Sequence, residues 1–167
     1  MHLTCLVFFF FFFAYLNLYN VDSLFRLYKD REYLEVEWTA GPLPDDGHGR
    51  EVVLTYNTSI NSGAEFWTDS NGRAMIRRVR NKRLSWDSKL ADSIAGNFYP
   101  ITSAIYIADK THVFSVITDR AQGAASLGPG HIEIMLHRRT LVDDKRGVGE
   151  NLNETFCQGD SCPGTCR

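Results

Sequence analysis

Gly130-His-Ile-Glu-Ile-Met-Leu-His-Arg-Arg-Thr-Leu-Val-Asp-Asp-Lys-Arg-Gly-Val-Gly-Glu150 is the stretch on which the reading of this chain turns. Its first half alternates. Ile132, Ile134 and Leu136 point one way and His131, Glu133 and His137 the other, the period-2 pattern of a half-buried strand. Its second half gathers Asp143, Asp144, Lys145 and Arg146 ahead of Gly147 and Gly149, which permit a sharp change of direction. Such a strand either projects two carboxylates and a guanidinium into a cleft or ends in a solvated hairpin tip.

Working outward, strand patterns recur at even spacing. Leu24 to Tyr28 and Tyr33 to Ala40 read as strands joined at Lys29-Asp30-Arg31, with Leu34, Val36 and Trp38 on one face. Glu35 and Glu37 share the other face, with Cα atoms ~7 Å apart in one row. Carboxylates that work as a catalytic pair must flank a substrate from two sides, so solvated alternation accounts for these two. Residues 41–49 form a Gly- and Pro-punctuated loop. Glu51 to Tyr56 and Glu65 to Thr68 are further strands. Asp69-Ser70-Asn71-Gly72 makes a tight two-residue hairpin turn, and Ala74 to Arg80 returns with Met75 inward.

Residues 81–93 are polar and irregular, with Trp86 expected to anchor them on the core. Ile94 to Tyr99 runs into Pro100, which favours extended backbone at Tyr99. Core packing accounts for Phe98, whereas for Tyr99 both core packing and stacking on a sugar ring stand. Ser103 to Ala108 and His112 to Thr118 form a hairpin, and Asp119 to Gly123 opens a small-residue loop. No segment of ten or more residues has clean helical periodicity. The predicted class is all-β, an antiparallel β-sandwich or a curved antiparallel sheet.

Composition narrows the function. The chain has 167 residues, 44% hydrophobic, enough for one domain with a core. A net charge of −2 points away from nucleic acid and from anionic membrane surfaces. The basic run Arg77-Arg78-Val79-Arg80-Asn81-Lys82-Arg83 fits a solvated strand edge. Cys157, Cys162 and Cys166 crowd the C-terminal end without a histidine, which suits a disulfide in an oxidising compartment, with one cysteine left over, better than a four-ligand zinc site. Asn57-Thr58-Ser59 and Asn153-Glu154-Thr155 are N-glycosylation sequons for a secretory chain.

Residues 1–23 form an apolar leader containing the phenylalanine run Phe8 to Phe13. The 16 residues from Leu3 to Leu18 carry no charge, long for a signal-peptide core and short for a span of ~20. Signal peptide and signal anchor are two readings. A third is a gene-model artefact, because phenylalanine codons contain only pyrimidines and such a tract resembles an intron end read as coding sequence. Sequencing the transcript across Ser23 and Leu24 tests this, and a continuous message through the run rejects it.

The segment His137 to Glu150, His-Arg-Arg-x-Leu-x-Asp-Asp-x-Arg-Gly-Val-Gly-Glu, resembles a signature of glycoside hydrolase family 38, the zinc-dependent retaining α-mannosidases. Phe66-Trp-Thr-Asp-Ser-Asn-Gly-Arg73, Ala95-Gly-Asn-Phe-Tyr-Pro100 and Thr118-Asp-Arg-Ala-Gln-Gly-Ala-Ala-Ser-Leu127 resemble the same family in the same order. The resemblance spans about Leu24 to Cys162 and is nearest the lysosomal or vacuolar type. It implies a truncated fragment of the family's C-terminal β region: a β-sandwich over residues 24–156, then a truncated cysteine-containing tail over 157–167. By the same resemblance Cys157 pairs with Cys162, while Arg146 is a substrate-side contact braced by Asp143 and Asp144.

The family's zinc, nucleophile and acid/base belong to an N-terminal catalytic domain that this sequence does not contain. Accordingly no catalytic or metal residue is nominated. His131 and His137 lie ~20 Å apart along their strand, too far to share a metal. Adjacent Asp143 and Asp144 diverge on extended backbone. The resemblance implies a role in hydrolysing terminal α-linked mannose of glycoprotein N-glycans, in the secretory pathway and a lysosome or vacuole, or outside the cell. The expected partners are mannose-containing glycans and the catalytic domain, with a membrane only if the leader is an anchor. The rival readings are a carbohydrate-binding module using Tyr99, Trp67 and Arg146, and an accessory β-domain that completes a separate catalytic chain.

Overall fold

The computed structural model describes residues 21–87, 90–145, 147 and 149–153. Among the described residues, apart from one short 3-10 turn, Ala95–Asn97, every regular element is a strand. These are β1 (Val21–Leu27), β2 (Leu34–Ala40), β3 (Arg50–Asn57), β4 (Glu65–Ser70), β5 (Ala74–Val79), β6 (Tyr99–Ile101), β7 (Ala104–Ala108), β8 (Val113–Ile117), β9 (Gln122–Ala125) and β10 (His131–Arg139). Among the described residues no helix is long and apolar enough to cross a membrane. The chain divides into two units, one containing Val53–Met135 and the other containing the described parts of Tyr15–Val52 and Leu136–Arg167. The division passes through β3 and β10.

The first unit holds the core. One sheet has the order β5-β4-β7-β8 and the other β3-β10-β9-β6, with antiparallel pairing in every register observed. Alternation decides which side chains go in. Phe66 and Thr68 on β4, Ile105 and Ile107 on β7, and Ile132 and Ile134 on β10 are buried. Edge-on ring contacts join the two sheets, Tyr56 to Phe114 at 5.5 Å and Phe66 to Tyr99 at 5.8 Å. Facing antiparallel sheets closed over alternate apolar residues make a β-sandwich, as predicted. Each buried Phe or Ile contributes about 1.5–3 kcal/mol relative to exposure.

The chain changes sheets between Ile101 and Ala104, and Asp69 holds that corner. Its Oδ1 accepts from the backbone N–H groups of Thr102 (2.8 Å), Ser103 (3.0 Å) and Ala104 (3.1 Å), and its Oδ2 from Gly72 N–H (2.8 Å). Burial alone would raise the Asp69 pKa, but the four N–H donors more than offset it and hold the carboxyl below its ordinary range. β4 therefore continues through Ser70. The turn to β5 is a three-residue loop of Asn71, Gly72 and Arg73 rather than a two-residue one, with positive φ at Asn71 (51°) and Gly72 (66°).

Three expectations need correction. Trp86 is 65% exposed and anchors no core. Met75 is 39% exposed, because its register partner Asp69 lies on the opposite side of β4 from Phe66 and Thr68. The segment read as a small-residue loop is β9, an interior strand whose Ala124 and Ala125 are fully buried.

In the second unit β1 and β2 pair alone as a hairpin from Val21↔Ala40 to Leu27↔Leu34, so the first strand starts at Val21 rather than Leu24. Glu35 and Glu37 lie part-exposed on this hairpin, and Arg26 bridges them at 2.6 Å and 2.5 Å, an ion pairing that the alternation of β2 did not announce.

Candidate functional site

Tyr99 opens β6, half-buried at the face between the two sheets of the first unit. The Arg78 guanidinium lies 4.1 Å and that of Arg83 4.9 Å from the centre of its ring. Arg83 Nη1 donates to Tyr99 Oη and its Nη2 to Gly96 O, while Arg78 Nε donates to Thr68 Oγ1 at 3.0 Å. Beside this group, Asn97 is fully buried. Its Oδ1 accepts from Asn81 N–H (2.8 Å), and its Nδ2 donates to Asn81 Oδ1 (2.7 Å) and Ser93 O (2.6 Å). Asn97 thereby ties the irregular 81–93 segment to the strand that carries Tyr99. The tyrosine is engaged by two cations and by Phe66, an arrangement in which cation–π attraction and edge packing fix the ring. Nothing in the alternation of β5 announced this: Arg78 points inward because its register partner is Phe66.

Asp143 and Asp144 belong to the second unit. Asp143 Oδ2 accepts from Lys145 N–H at 2.8 Å, closing a tight turn in which Lys145 has φ 59°. This is the local backbone capture that aspartate favours in turns. Asp144 is exposed. Arg146, the nominated substrate contact, lies outside the described residues, as do Cys157 and Cys162 of the expected disulfide. Asn57 ends β3 and is exposed, and Asn153 is half-buried.

Sequence reasoning missed Arg139, which is 7% exposed. Its Nε donates to Asn153 Oδ1 (2.6 Å) and its Nη1 to Leu43 O (3.3 Å), while its Nη2 lies 3.0 Å from Asp45 Oδ1. Extending the Ile132, Ile134, Leu136 phase would bury position 138. Arg138 is instead exposed, so the pattern shifts along β10. A buried guanidinium that draws on three residues of its unit, two in the 41–49 loop and one at Asn153, is a scaffold for the charged run that follows it.

His131, also on β10, is held by its neighbours. Its Nδ1 accepts from Leu127 N–H at 3.3 Å and its Nε2 lies 3.9 Å from Glu133 Oε2. Among the described residues no three His, Cys, Asp or Glu side chains are grouped so as to hold a metal.

A family model described as "Glycosyl hydrolases family 38 C-terminal domain" matches residues 17–146. A probable α-mannosidase of Arabidopsis thaliana is 48% identical over 145 residues, 86% of this chain and 14% of its own. The α-mannosidase of Canavalia ensiformis is 47% identical over 138 residues, 82% of this chain and 14% of its own. The lysosomal α-mannosidase of Bos taurus is 48% identical over 134 residues, 80% and 13% respectively. The chain thus spans about one seventh of the length of the curated relatives it matches. With its antiparallel sheets and the match across most of its length, the chain belongs to glycosyl hydrolase family 38, to the C-terminal domain of that family.

Proposed function

We propose that this chain is a non-catalytic β portion of a retaining α-mannosidase that removes terminal α-linked mannose from glycoprotein N-glycans. The observation that carries this reading is the near-half identity to α-mannosidases across 80–86% of the chain, against only 13–14% of those enzymes. On this reading zinc and the reacting carboxylates reside in the catalytic domain, and this chain contributes substrate-side contacts. Arg146 offers its guanidinium to sugar hydroxyls, Asp143 and Asp144 fix it, and Tyr99 stiffens the sheet interior. The secretory pathway and a lysosome or vacuole follow from the lysosomal relative and from the sequons at Asn57 and Asn153. The disulfide Cys157–Cys162 belongs to the same proposal.

The test is an assay of the purified chain with a chromogenic α-mannoside, with and without a chelator. We expect no turnover. Chelator-sensitive hydrolysis by the chain alone overturns the non-catalytic assignment.

A further inference from the structure

We propose that Asn71-Gly72 is a site of spontaneous deamidation that the Asp69 carboxylate keeps closed in the folded chain. It is the one Asn-Gly step in the 167 residues. Both residues are exposed in the turn between β4 and β5, with φ 51° at Asn71 and 66° at Gly72. A β-carbon on Gly72 would meet nothing within 4 Å, so packing does not confine the turn.

The reaction needs only water. Gly72 N gives up its proton, and its electron pair attacks Asn71 Cγ. The new N–Cγ bond closes a five-membered imide as the side-chain nitrogen leaves with that proton as ammonia. Water then adds to one of the two imide carbonyls and opens the ring. The product is aspartate, or isoaspartate in which the main chain runs through the former side chain. Glycine after asparagine favours the attack, because no side chain hinders its nitrogen.

The first step depends on one N–H, and the fold commits it. Gly72 N–H donates to Asp69 Oδ2 at 2.8 Å, and Asp69 is only 5% exposed. A carboxylate beside the amide disfavours the anion that must form there. The charge-assisted bond also fixes the Asn71-Gly72 peptide plane, which has to rotate about Asn71 ψ before N can reach Cγ. Arg73 N–H, donating to Ser70 O at 3.0 Å, braces the same turn. Asp69 does not serve as general base, because four N–H donors hold its carboxyl below the ordinary range and make it a poor proton acceptor. Ring closure would undo the clamp for good. An imide nitrogen has no hydrogen to donate, so the corner that holds Thr102, Ser103 and Ala104 would lose its fourth donor. The carboxylate that shapes the sandwich corner therefore also sets the chemical lifetime of the turn.

The test incubates the full chain in mildly alkaline buffer and follows the amide-to-acid mass gain, located at Asn71 by peptide mass spectrometry. The folded parent should convert roughly ten-fold or more slowly than the same chain unfolded in urea. In Asp69→Asn one oxygen remains as acceptor. Three donors converge on the place of Oδ1, so the new amide group would face Gly72 N–H, and conversion at Asn71 should accelerate by roughly ten-fold or more. Ala124→Leu, in the opposite sheet, controls for lost stability and should keep the parent's rate. Equal conversion of the folded and urea-unfolded parent overturns the proposal, as does equal acceleration in the two variants. If Asp69→Asn does not fold, amide hydrogen exchange on the parent decides, since it removes the same Gly72 proton. Exchange slowed by roughly ten-fold or more against the unfolded chain sustains the clamp, and exchange at the unfolded rate overturns it.

Discussion

Gly130 has φ 70°, and a β-carbon there would lie 2.4 Å from Thr58 O and 2.9 Å from Ile60 O. Those neighbours are backbone and cannot step aside. The same glycine gives its carbonyl to Thr58 N–H (2.8 Å) and Thr58 Oγ1 (3.0 Å), and its N–H to Ser62 Oγ (3.0 Å). Any side chain would break this cluster as well as strain φ. Gly130→Ala should therefore cost about 3 kcal/mol, read as a lower urea midpoint at unchanged slope. A loss below about 0.5 kcal/mol would show that the turn relaxes freely. The glycine itself was visible in the sequence as punctuation. Its indispensability was not, since that depends on Thr58 and Ile60, which are remote in sequence and brought alongside only by the fold.

At the level of elements, strands with strong alternation were legible and those without it were not. β10 begins with Ile132 and Ile134 buried as read from period 2, because one face of that strand meets the core and the other does not. β9 fails the same test for a physical reason. It lies between β10 and β6, and its Gln-Gly-Ala-Ala sequence lacks the bulky residues by which strands are recognised. Small size is its function, since a β-carbon on Gly123 would already meet Met135 Sδ at 3.0 Å. Ala124→Leu should accordingly overpack the sandwich and cost about 1–3 kcal/mol by chemical denaturation; a neutral result would reveal slack between the sheets. The candidate site divides along the same line. The turn at Asp143, read in the sequence as extended backbone ahead of two glycines, is closed by its own carboxylate on Lys145 N–H, whereas the cations over Tyr99 and the buried Arg139 arise from cross-strand neighbours and a change of phase. Trp86 shows the converse error, an aromatic assigned to the core by type alone.

For the whole molecule, the directions of proton binding set how the fold meets acid. Asp46 is held down to about 2, chiefly by the Arg50 guanidinium. Asp109 is held low by N–H groups of Thr111 and His112, and Asp69 by its four N–H donors against burial. A carboxylate whose folded pKa lies below the unfolded value of about 3.9 stabilises fully above that value and loses its contribution as pH falls further. His131 acts in the opposite range. Burial lowers its pKa despite Glu133, and Arg80 adds to the lowering, so the unfolded chain takes up a proton first and stability declines as pH drops through about 6.5. Protonating Nδ1 would also forfeit the bond from Leu127 N–H. The melting temperature of the chain should therefore slope gently downward from pH 7 to 5, without the carboxylate collapse that sets in only below about 4. His131→Asn, whose side-chain oxygen can replace Nδ1 as acceptor, should remove the gentle slope. Asp69→Asn should lower stability by about 2 kcal/mol at pH 7, and its gap to the parent should close as pH falls below about 4. A gap that persists undiminished at pH 2 would mean that Asp69 acts through shape and not through charge, and the acid tolerance of the sandwich corner would need another source.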